Sequence, residues 1–445
     1  MFIPTDSDLP SWFKKRSYLH FDSKVSLDKT KEIVLNPKAV SSHAFYPFIK
    51  YSVISEKVSK DQKTNKISIK KKIRDVAYSS HMDSHIYSYY SEMLTDIYEK
   101  RLQEKNLHKA VLAFRKLDGK SNIHFAHDAF MYIKSKRECS AIALDFSKFF
   151  NTLDHKILQR EWSNILKLEK LPDDHYKVFR SLTKYSEVNR DKLFEIFDIS
   201  PYNPKLDGKG NSKIKQRHRI CSCIDFREKV RKAGLIESNK SNNGIPQGSP
   251  ISALLSNIYM LTFDEKMNEY ANSINGRYFR YCDDMLFIVP VIERDKVQEY
   301  VKNEIGLLKV EINESKTEIR DFKVILDKVV SFENDKLKPL QYLGFLFDGT
   351  SAYLRSASLS RYSEKMKGGI KLAKMTMEKE NKIRLSKGEP AQTKLYKRKL
   401  HCLYSHRGQR NFLSYGYRAA NIMNSKSIKR QLKPLWKRFQ MVIEK

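Results

Sequence analysis

The sequence is poor in the features that mark secreted and membrane-spanning proteins. Only 5 cysteines occur in 445 residues, and their odd number and scattered positions favour reduced thiols over a disulfide framework. The longest apolar run, residues 285–292, contains Pro290 and is far shorter than the roughly 20 residues that span a bilayer. The N-terminal stretch MFIPTDSDLPSWFKKR has no apolar run after a basic patch, so no secretory signal is expected. We therefore predict a cytoplasmic protein that does not enter a membrane.

Metal-binding cysteine patterns are also sparse. His218, Cys221 and Cys223 lie close together in the sequence, but no fourth ligand is near, so ordinary thiols on a strand or loop are the preferred interpretation. Hydrophobic residues make up 40% of the chain and aromatic residues 11%, which is enough for a packed core. Because 445 residues exceed what one core usually holds, two or three packed units are expected.

Acidic residues are scarce relative to basic ones. The chain has 84 lysines and arginines but 52 aspartates and glutamates, which gives a formal net charge of +32. Such an excess repels itself in a compact protein, and a polyanionic partner relieves the repulsion. Since no membrane segment is found, nucleic acid is the predicted partner rather than an anionic membrane surface.

The positive charge is concentrated at the C-terminal end. Residues 355–445 contain 24 lysines and arginines, 5 glutamates and no aspartate, an excess of 19 positive charges. Aromatic and long apolar residues alternate with these charges, which predicts amphipathic helices with one packed face and one cationic face. A solvated charged surface is the alternative, but so one-sided an excess favours contact with a phosphate backbone.

Apolar periodicity and turn residues divide the rest of the chain. The first fifty residues read as an irregular extension, and residues 200–216 as a polar loop or insertion. Helices are predicted at 81–103, from 154 onward, at 251–270 and at 297–308; strands are predicted at 73–76, 141–144, 278–289 (a hairpin) and 340–347 (a strand pair). Strands that alternate with helices, followed by a run of helices, predict an α+β core with a helical appendage.

Three aspartates interrupt the most apolar strands. Asp145 follows the strand at 141–144, and Asp283 and Asp284 lie between two apolar stretches of the 278–289 hairpin. Acids in such surroundings are costly to bury unless a cation neutralises them. Mg²⁺ prefers carboxylate oxygens, and two such ions can support an in-line phosphoryl displacement. A lone Asp-Asp pair would usually be a surface turn, but the two apolar strands favour a metal site.

A second segment strengthens this interpretation. Residues 243–250 (NGIPQGSP) contain two glycines and two prolines, which predicts a rigid turn with room for close backbone approach, and a helix follows. Taken together, residues 243–257 (NGIPQGSPISALLSN) and the Tyr281-Cys282-Asp283-Asp284 tetrapeptide closely resemble the signature of reverse transcriptases. The resemblance extends over roughly residues 70–350.

The resemblance implies a right-hand polymerase fold with fingers, a ferredoxin-like palm and an α-helical thumb. It implies an N-terminal extension at 1–50, fingers and palm at 51–350, with the palm core at about 140–155 and 241–350, and a basic helical thumb at 351–445. The implied reaction is the copying of RNA into DNA by two-metal nucleotidyl transfer, with two Mg²⁺ ions as cofactors. The implied catalytic residues are Asp145, Asp283 and Asp284, which would hold the metal together with Phe146.

The resemblance also implies roles for further residues. Phe150 would exclude a 2′-hydroxyl and so select deoxynucleotides, with a core phenylalanine as the alternative. The implied nucleotide-binding residues are Lys72, Arg74, Phe150, Gln247, Gly248 and Lys316. Tyr342, Leu343 and Gly344 resemble the primer grip. In the basic region we expect Lys397, Arg398 and Lys399 to contact nucleic acid.

Among reverse transcriptases, the chain resembles the stand-alone bacterial enzymes associated with antiphage defence. Residues 12–22 (WFKKRSYLHFD) and 411–430 (NFLSYGYRAANIMNSKSIKR) carry this resemblance. It implies that a noncoding template RNA is bound and copied from deoxynucleoside triphosphates into cDNA that acts against infection. No aspartate follows Gly349, so an RNase H nuclease built on clustered acids is not expected. The alternatives are a retron or group II intron-type enzyme, an RNA-dependent RNA polymerase, which Phe150 disfavours, and a catalytically silent RNA-binding protein with a polymerase fold.

Overall fold

The computed structural model describes residues 9–60, 67–202 and 217–444. The helices are α1 Leu27–Val34, α2 Pro37–Ser42, α3 His81–Glu104, α4 Asn122–Lys136, α5 Phe149–Thr152, α6 His155–Ile165, α7 Asp173–Thr183, α8 Arg190–Ile196, α9 Cys223–Asp225, α10 Ser252–Tyr259, α11 Leu261–Ser273, α12 Arg294–Leu307, α13 Ser356–Ser386, α14 Arg398–Tyr404, α15 Phe412–Ile422 and α16 Lys426–Glu444. The strands are β1 Phe48–Lys60, β2 Ile67–Tyr78, β3 Cys139–Asp145, β4 Ser186–Asn189, β5 Glu237–Ser238, β6 Arg277–Tyr281, β7 Asp284–Val289, β8 Glu318–Ile325, β9 Lys328–Glu333, β10 Lys336–Leu337, β11 Leu340–Tyr342, β12 Phe345–Phe347 and β13 Ala352–Leu354.

The chain forms two compact units. Unit 1 consists of Met1–Phe114, Phe146–Lys266 and Lys302–Glu311, and unit 2 of Arg115–Asp145, Met267–Val301 and Ile312–Lys445. The bounds of these units differ from those predicted for the fingers, palm and thumb, which stay a prediction. No helix in the described ranges is both long enough and apolar enough to cross a bilayer.

Unit 1 is built on a four-stranded sheet with the order β2-β1-β4-β5. Strands β1 and β2 form a long antiparallel hairpin, and β4 pairs with the first residues of β1 in parallel. Helix α3 follows β2 and begins at Ser80, whose hydroxyl accepts a hydrogen bond from the Asp83 N–H at 3.2 Å. One apolar cluster of this unit joins Ile49 and Val188 from the sheet to Phe21 and Phe226.

The N-terminal residues are more ordered than the sequence suggested. Instead of an irregular extension, the described part contains helices α1 and α2, and Trp12, Phe13 and Phe21 are buried. Phe13 stacks on His85 of α3, with ring centroids 4.6 Å apart. The prediction of an irregular extension is therefore wrong for these residues, because scattered aromatic side chains find partners on α3 that local periodicity does not show.

Unit 2 contains the sheet that matters for the site, in the order β10-β9-β8-β3-β7-β6. The four strands β8, β3, β7 and β6 at one side of this sheet lie in the order 4-1-3-2 when they are counted along the chain, and all their pairings are antiparallel. Helices separate the first strand from the second and the third from the fourth, which is the ferredoxin-like arrangement. Strands β3 and β7 are buried almost throughout, since they carry Ile142, Leu286 and Phe287 with no solvent exposure.

The C-terminal helices of unit 2 confirm the predicted amphipathic pattern. Helix α16 buries Ile428, Leu432, Leu435, Phe439 and Ile443, which recur every three or four residues on one face. The other positions of the helix are mostly lysine, arginine and glutamine. The apolar face therefore packs while the charged face stays in solvent.

The predicted helices and strands outside the N-terminal region are confirmed. The helix expected at 81–103 is α3, the strand at 141–144 is β3, the hairpin at 278–289 is β6 and β7, and the strand pair at 340–347 is β11 and β12. The helix expected at 251–270 is divided at Met260 into α10 and α11. Most of the loop expected at 200–216 lies outside the described residues.

Candidate active site

The β6–β7 hairpin presents the paired aspartates. Tyr281 and Asp284 are the last paired residues, so Cys282 and Asp283 form a two-residue turn. Cys282 has a φ of +60°, the left-handed region that the first position of a type II′ hairpin turn requires and that usually favours glycine. The fully buried Arg280 donates a hydrogen bond from Nη1 to the Cys282 carbonyl at 3.2 Å. This bond supports the turn from beneath.

Strand pairing brings the third aspartate to the same place. Asp145 ends β3 and is the direct partner of Asp284 in the β3–β7 ladder. Directly opposite residues in an antiparallel pair have Cα atoms about 4.5–5.5 Å apart. The negative charge of Asp283 is near enough to contribute to a raised pKa of the Asp145 carboxyl. The three acids predicted from the sequence are thus brought together at one end of the unit 2 sheet.

Lys316 joins this cluster because a backbone hydrogen bond anchors its turn. The Asn313 N–H donates to the Asp145 carbonyl at 2.7 Å, and the 3-10 helix Glu314–Lys316 follows. The Lys316 ammonium forms a salt bridge with the Asp145 carboxylate. The structure therefore places Lys316 beside Asp145, and its role toward pyrophosphate stays a prediction.

The acids repel one another in the absence of a further cation. Burial raises the pKa of Asp145, and the Lys316 ammonium opposes that rise. Loss of solvation followed by repulsion from Asp283 and Asp145 raises the pKa of Asp284 to about 7. The Asp284 side chain is still exposed, so solvent screens part of this repulsion. One ammonium cannot balance three carboxylates, and carboxylate oxygens are the ligands that hard divalent cations prefer. Among the described residues, no group of three or more Asp, Glu, His or Cys side chains is arranged so that it could hold a metal ion.

The predicted primer-grip residues also lie in unit 2. Tyr342 is buried, and its pKa is raised by burial and by the nearby Asp284 carboxylate. Leu343 and Gly344 form the turn between β11 and β12, and Tyr342 pairs with Phe345 across it. Unit 2 therefore gathers the three aspartates, Lys316 and the start of the primer-grip segment.

Other predicted residues come together within unit 1. The Gln247 carbonyl accepts a hydrogen bond from the Ala77 N–H at 2.8 Å, which ties the 243–250 turn to the end of β2. Gly248 has a φ of +119°, and a Cβ atom there would lie 2.6 Å from the Ala77 carbonyl oxygen. Only glycine fits this approach. The physical reason for the glycine in this turn is therefore its close contact with the end of β2.

Phe150 belongs to the same part of unit 1. Its carbonyl accepts a hydrogen bond from the Ile245 N–H at 2.9 Å, so the helix that follows Asp145 is tied to the 243–250 turn. Phe149 and Phe146 are buried and stack on each other, whereas Phe150 is only half-buried. Partial exposure is what a residue in contact with a substrate needs, and it weighs against the core alternative.

Lys72 and Arg74 lie on β2, three to five residues before Ala77. They face the same side of the hairpin, opposite Ser55 and Val53 respectively, and both side chains are exposed. Lys397, Arg398 and Lys399 are exposed at the start of α14 in unit 2. The roles of these five residues in binding nucleotide and nucleic acid stay predictions.

Three residues with a place in the site were not found by sequence reasoning. Arg280 supports the Cys282 turn, Arg355 lowers the pKa of Asp284 by its positive charge, and Asn122 contacts the Leu343 turn. Each acts through a partner distant in sequence, so local patterns carry little signal for them.

The comparison with protein families agrees with this arrangement. The chain belongs to the reverse transcriptase (RNA-dependent DNA polymerase) family, whose profile matches residues 62–347. This range contains every aspartate of the cluster. A comparison with curated protein sequences finds no match.

Solved structures of telomerase resemble the chain at low identity. Apo telomerase from Candida tropicalis, truncated from its C-terminal domain, is 12% identical with a TM-score of 0.38, over 69% of this chain and 57% of that chain. Telomerase from Candida albicans in complex with the TWJ fragment of telomeric RNA is 10% identical with a TM-score of 0.39, over 94% of this chain and 64% of that chain. The chain thus spans less than two thirds of each of these structures.

Proposed function

We propose that the protein is an RNA-directed DNA polymerase that copies a bound noncoding RNA into cDNA. The observation that carries this proposal is the convergence of Asp145, Asp283 and Asp284 at one end of a ferredoxin-like sheet. Binding alone gives no reason to assemble three acids on a protein that is strongly basic overall. A nucleotidyl-transfer site does, because it must hold cations against a polyanionic substrate.

The cofactors that we propose for this cluster are two Mg²⁺ ions. The carboxylates of the three aspartates and the backbone carbonyl of Phe146 would supply the oxygen ligands. When bound, the ions would make the primer 3′-hydroxyl a better nucleophile and offset charge on the departing pyrophosphate. Lys316 already neutralises part of the acid cluster through Asp145. During the reaction we assign its ammonium to the pyrophosphate.

Unit 1 supplies groups suited to the incoming nucleotide. Lys72 and Arg74 project from one face of the β1–β2 hairpin, where a compact ammonium and a forked guanidinium suit triphosphate oxygens. Gln247 and Gly248 would hold the nascent base pair against the backbone. Phe150 would close the space that a ribose 2′-hydroxyl needs. Tyr342, Leu343 and Gly344 of unit 2 would hold the primer end.

The basic helices are proposed to hold the RNA or the RNA–DNA duplex. Within the described part of residues 355–444, no lysine or arginine has an acidic side chain at salt-bridge distance. None of these cations is buried. Unpaired exposed cations on a packed helical scaffold favour contacts with phosphates and counterion release. A role in bacterial antiphage defence, in the cytoplasm, is proposed on the sequence resemblance at 12–22 and 411–430.

A primer-extension experiment tests the proposed activity. The full chain is given a primed RNA template with deoxynucleotides or with ribonucleotides, each with and without Mg²⁺, and the Asp283→Asn variant serves as the control. We expect extension only with deoxynucleotides and Mg²⁺, and none by the variant. Preferred use of ribonucleotides would indicate an RNA polymerase. RNA binding with no extension under any condition would favour the silent RNA-binding protein.

Sequencing of the nucleic acids that copurify with the protein tests the proposed template. We expect one predominant structured RNA together with DNA complementary to it. An unrelated mixture of cellular RNAs would contradict a dedicated template.

A further inference from the structure

The turn between β11 and β12 has an unfavourable residue at its first position. Leu343 has a φ of +45° and Gly344 a φ of +93°, so two successive residues of this two-residue hairpin turn are left-handed. Type I′ turns require this conformation and favour Asn-Gly, because a β-carbon is strained in the left-handed region. A leucine there needs support from its surroundings.

The support comes from one side chain outside the hairpin. The Asn122 Nδ2 group donates a hydrogen bond to the Leu343 carbonyl at 3.0 Å and a second to the Tyr415 hydroxyl at 2.9 Å. The ring of Tyr415 in turn stacks on Phe345, directly after the turn, with centroids 6.2 Å apart. One amide therefore joins the turn to helix α15.

Asn122 belongs to a well-packed helix. It is the first residue of α4, which buries Ile123, Phe125, Ala126 and Ala129 in its first two turns. A side chain on such a helix has little freedom to follow a moving turn. The helix therefore acts as a fixed point for the Leu343 carbonyl.

The other end of β11 is fixed to the catalytic sheet. The Gln341 N–H donates to Glu318 Oε2 at 3.2 Å, and Glu318 pairs with Ala143 of β3, two residues before Asp145. Glu318 is held in turn by the buried Arg320, at 3.1 Å. The segment thus has two anchors, one at Glu318 on β8, the strand paired with that of Asp145, and one at Asn122.

We propose that Asn122 is a positioning residue that holds the Leu343-Gly344 turn, and with it the primer end, relative to helix α15. This proposal rests on the proposed polymerase function. Loss of the Asn122 amide leaves the aspartates and the Glu318 anchor in place and frees only the turn. The effect should therefore fall on productive placement of the primer rather than on chemistry.

The first test separates KM from kcat in single-nucleotide extension by the full protein with Mg²⁺. For Asn122→Ala we expect the KM for primer–template to rise about fivefold to tenfold, the effect of one or two lost hydrogen bonds, with kcat within about twofold of wild type. Asn421→Ala, on the exposed side of α15, is the matched control and should change neither. An unchanged KM, or a fall in kcat alone, would overturn the proposal.

The second test removes the backbone strain at residue 343. Leu343→Asn converts the turn to Asn-Gly, which forms without external support. The effect of Asn122→Ala on KM should therefore shrink at least threefold when it is measured in the L343N background rather than in the wild type. An equal effect in both backgrounds would mean that Asn122 acts by stabilising α4 and not by holding the turn, and would refute the proposal.

A third measurement does not depend on activity. Hydrogen exchange of residues 340–347 should become faster in Asn122→Ala and return toward wild type when L343N is added, while exchange in β3 and β7 stays unchanged. Protection of 340–347 that does not change in Asn122→Ala would contradict the proposal even in an active enzyme. If the wild type extends no primer but exchange responds as expected, the polymerase assignment fails and the structural role of Asn122 stands.

Discussion

The Asp284→Asn substitution removes a negative charge that Asp283 and Asp145 repel in the metal-free protein. It should therefore stabilise the fold while it abolishes DNA synthesis. The Asp284 carboxyl has its pKa raised from 3.8 to about 7. Three pKa units correspond to about 4 kcal/mol, but the side chain is solvent-exposed and screening reduces this figure. We expect a gain of about 1–2 kcal/mol in unfolding free energy at pH 8 with the metal chelated.

The gain in unfolding free energy of the asparagine variant depends on pH. In the unfolded chain the carboxyl ionises near pH 3.8, whereas in the folded protein it ionises near pH 7. The folded state therefore binds the proton more tightly, and wild-type stability falls as the pH rises through this interval. The advantage of the asparagine variant should be absent below pH 4, grow with pH and be complete above pH 7.

Urea unfolding with EDTA between pH 4 and pH 8 measures this advantage, and primer extension measures the loss of activity. Mg²⁺ should raise the wild-type midpoint more than that of the variant, since only the wild type retains the full set of ligands. Asp295→Asn is the control, because the Arg294 guanidinium lowers the pKa of Asp295 and its removal should bring no gain. A variant no more stable than wild type at pH 8, or an advantage independent of pH, would refute the repulsion argument.

Three further substitutions test other parts of the proposed site. Phe150→Ala should raise ribonucleotide use relative to deoxynucleotide use, and an unchanged ratio of the two kcat/KM values would make Phe150 a core residue. Gly248→Ala should raise the KM for deoxynucleotides and cost about 1–3 kcal/mol of stability in urea unfolding, since its Cβ would meet the Ala77 carbonyl at 2.6 Å; wild-type values for both would contradict the close-approach argument. Replacing Lys397, Arg398 and Lys399 by glutamine should make the slope of log RNA affinity against log salt concentration shallower by roughly 0.7–0.9 per lost phosphate contact. An unchanged slope would mean that these three residues form only a solvated surface.

Much of the candidate site could be predicted from the sequence because its signals are local. Asp145 and the Asp283-Asp284 pair each interrupt an apolar strand, and the Gly-Pro-rich turn precedes a helix within a few residues. Strand and helix periodicity also depend on near neighbours, which is why α3, β3 and the β6–β7 hairpin were predicted with small errors at their ends. In the N-terminal region, aromatic partners distant in sequence determine the packing, and there the prediction was wrong.

The tertiary structure alone decided how these parts meet. Pairing of β3 with β7 sets Asp145 against Asp284, and a backbone hydrogen bond from Asn313 brings Lys316 to them. The contact of Gly248 with Ala77 and the hydrogen bond from Asn122 to Leu343 likewise join residues far apart in the chain. The amino-acid sequence determined which residues are charged, which residue occupies each turn position and which side chains can donate a hydrogen bond. Strand register and helix packing determined their partners, because those depend on hydrogen bonds and contacts between distant segments, which local patterns do not encode.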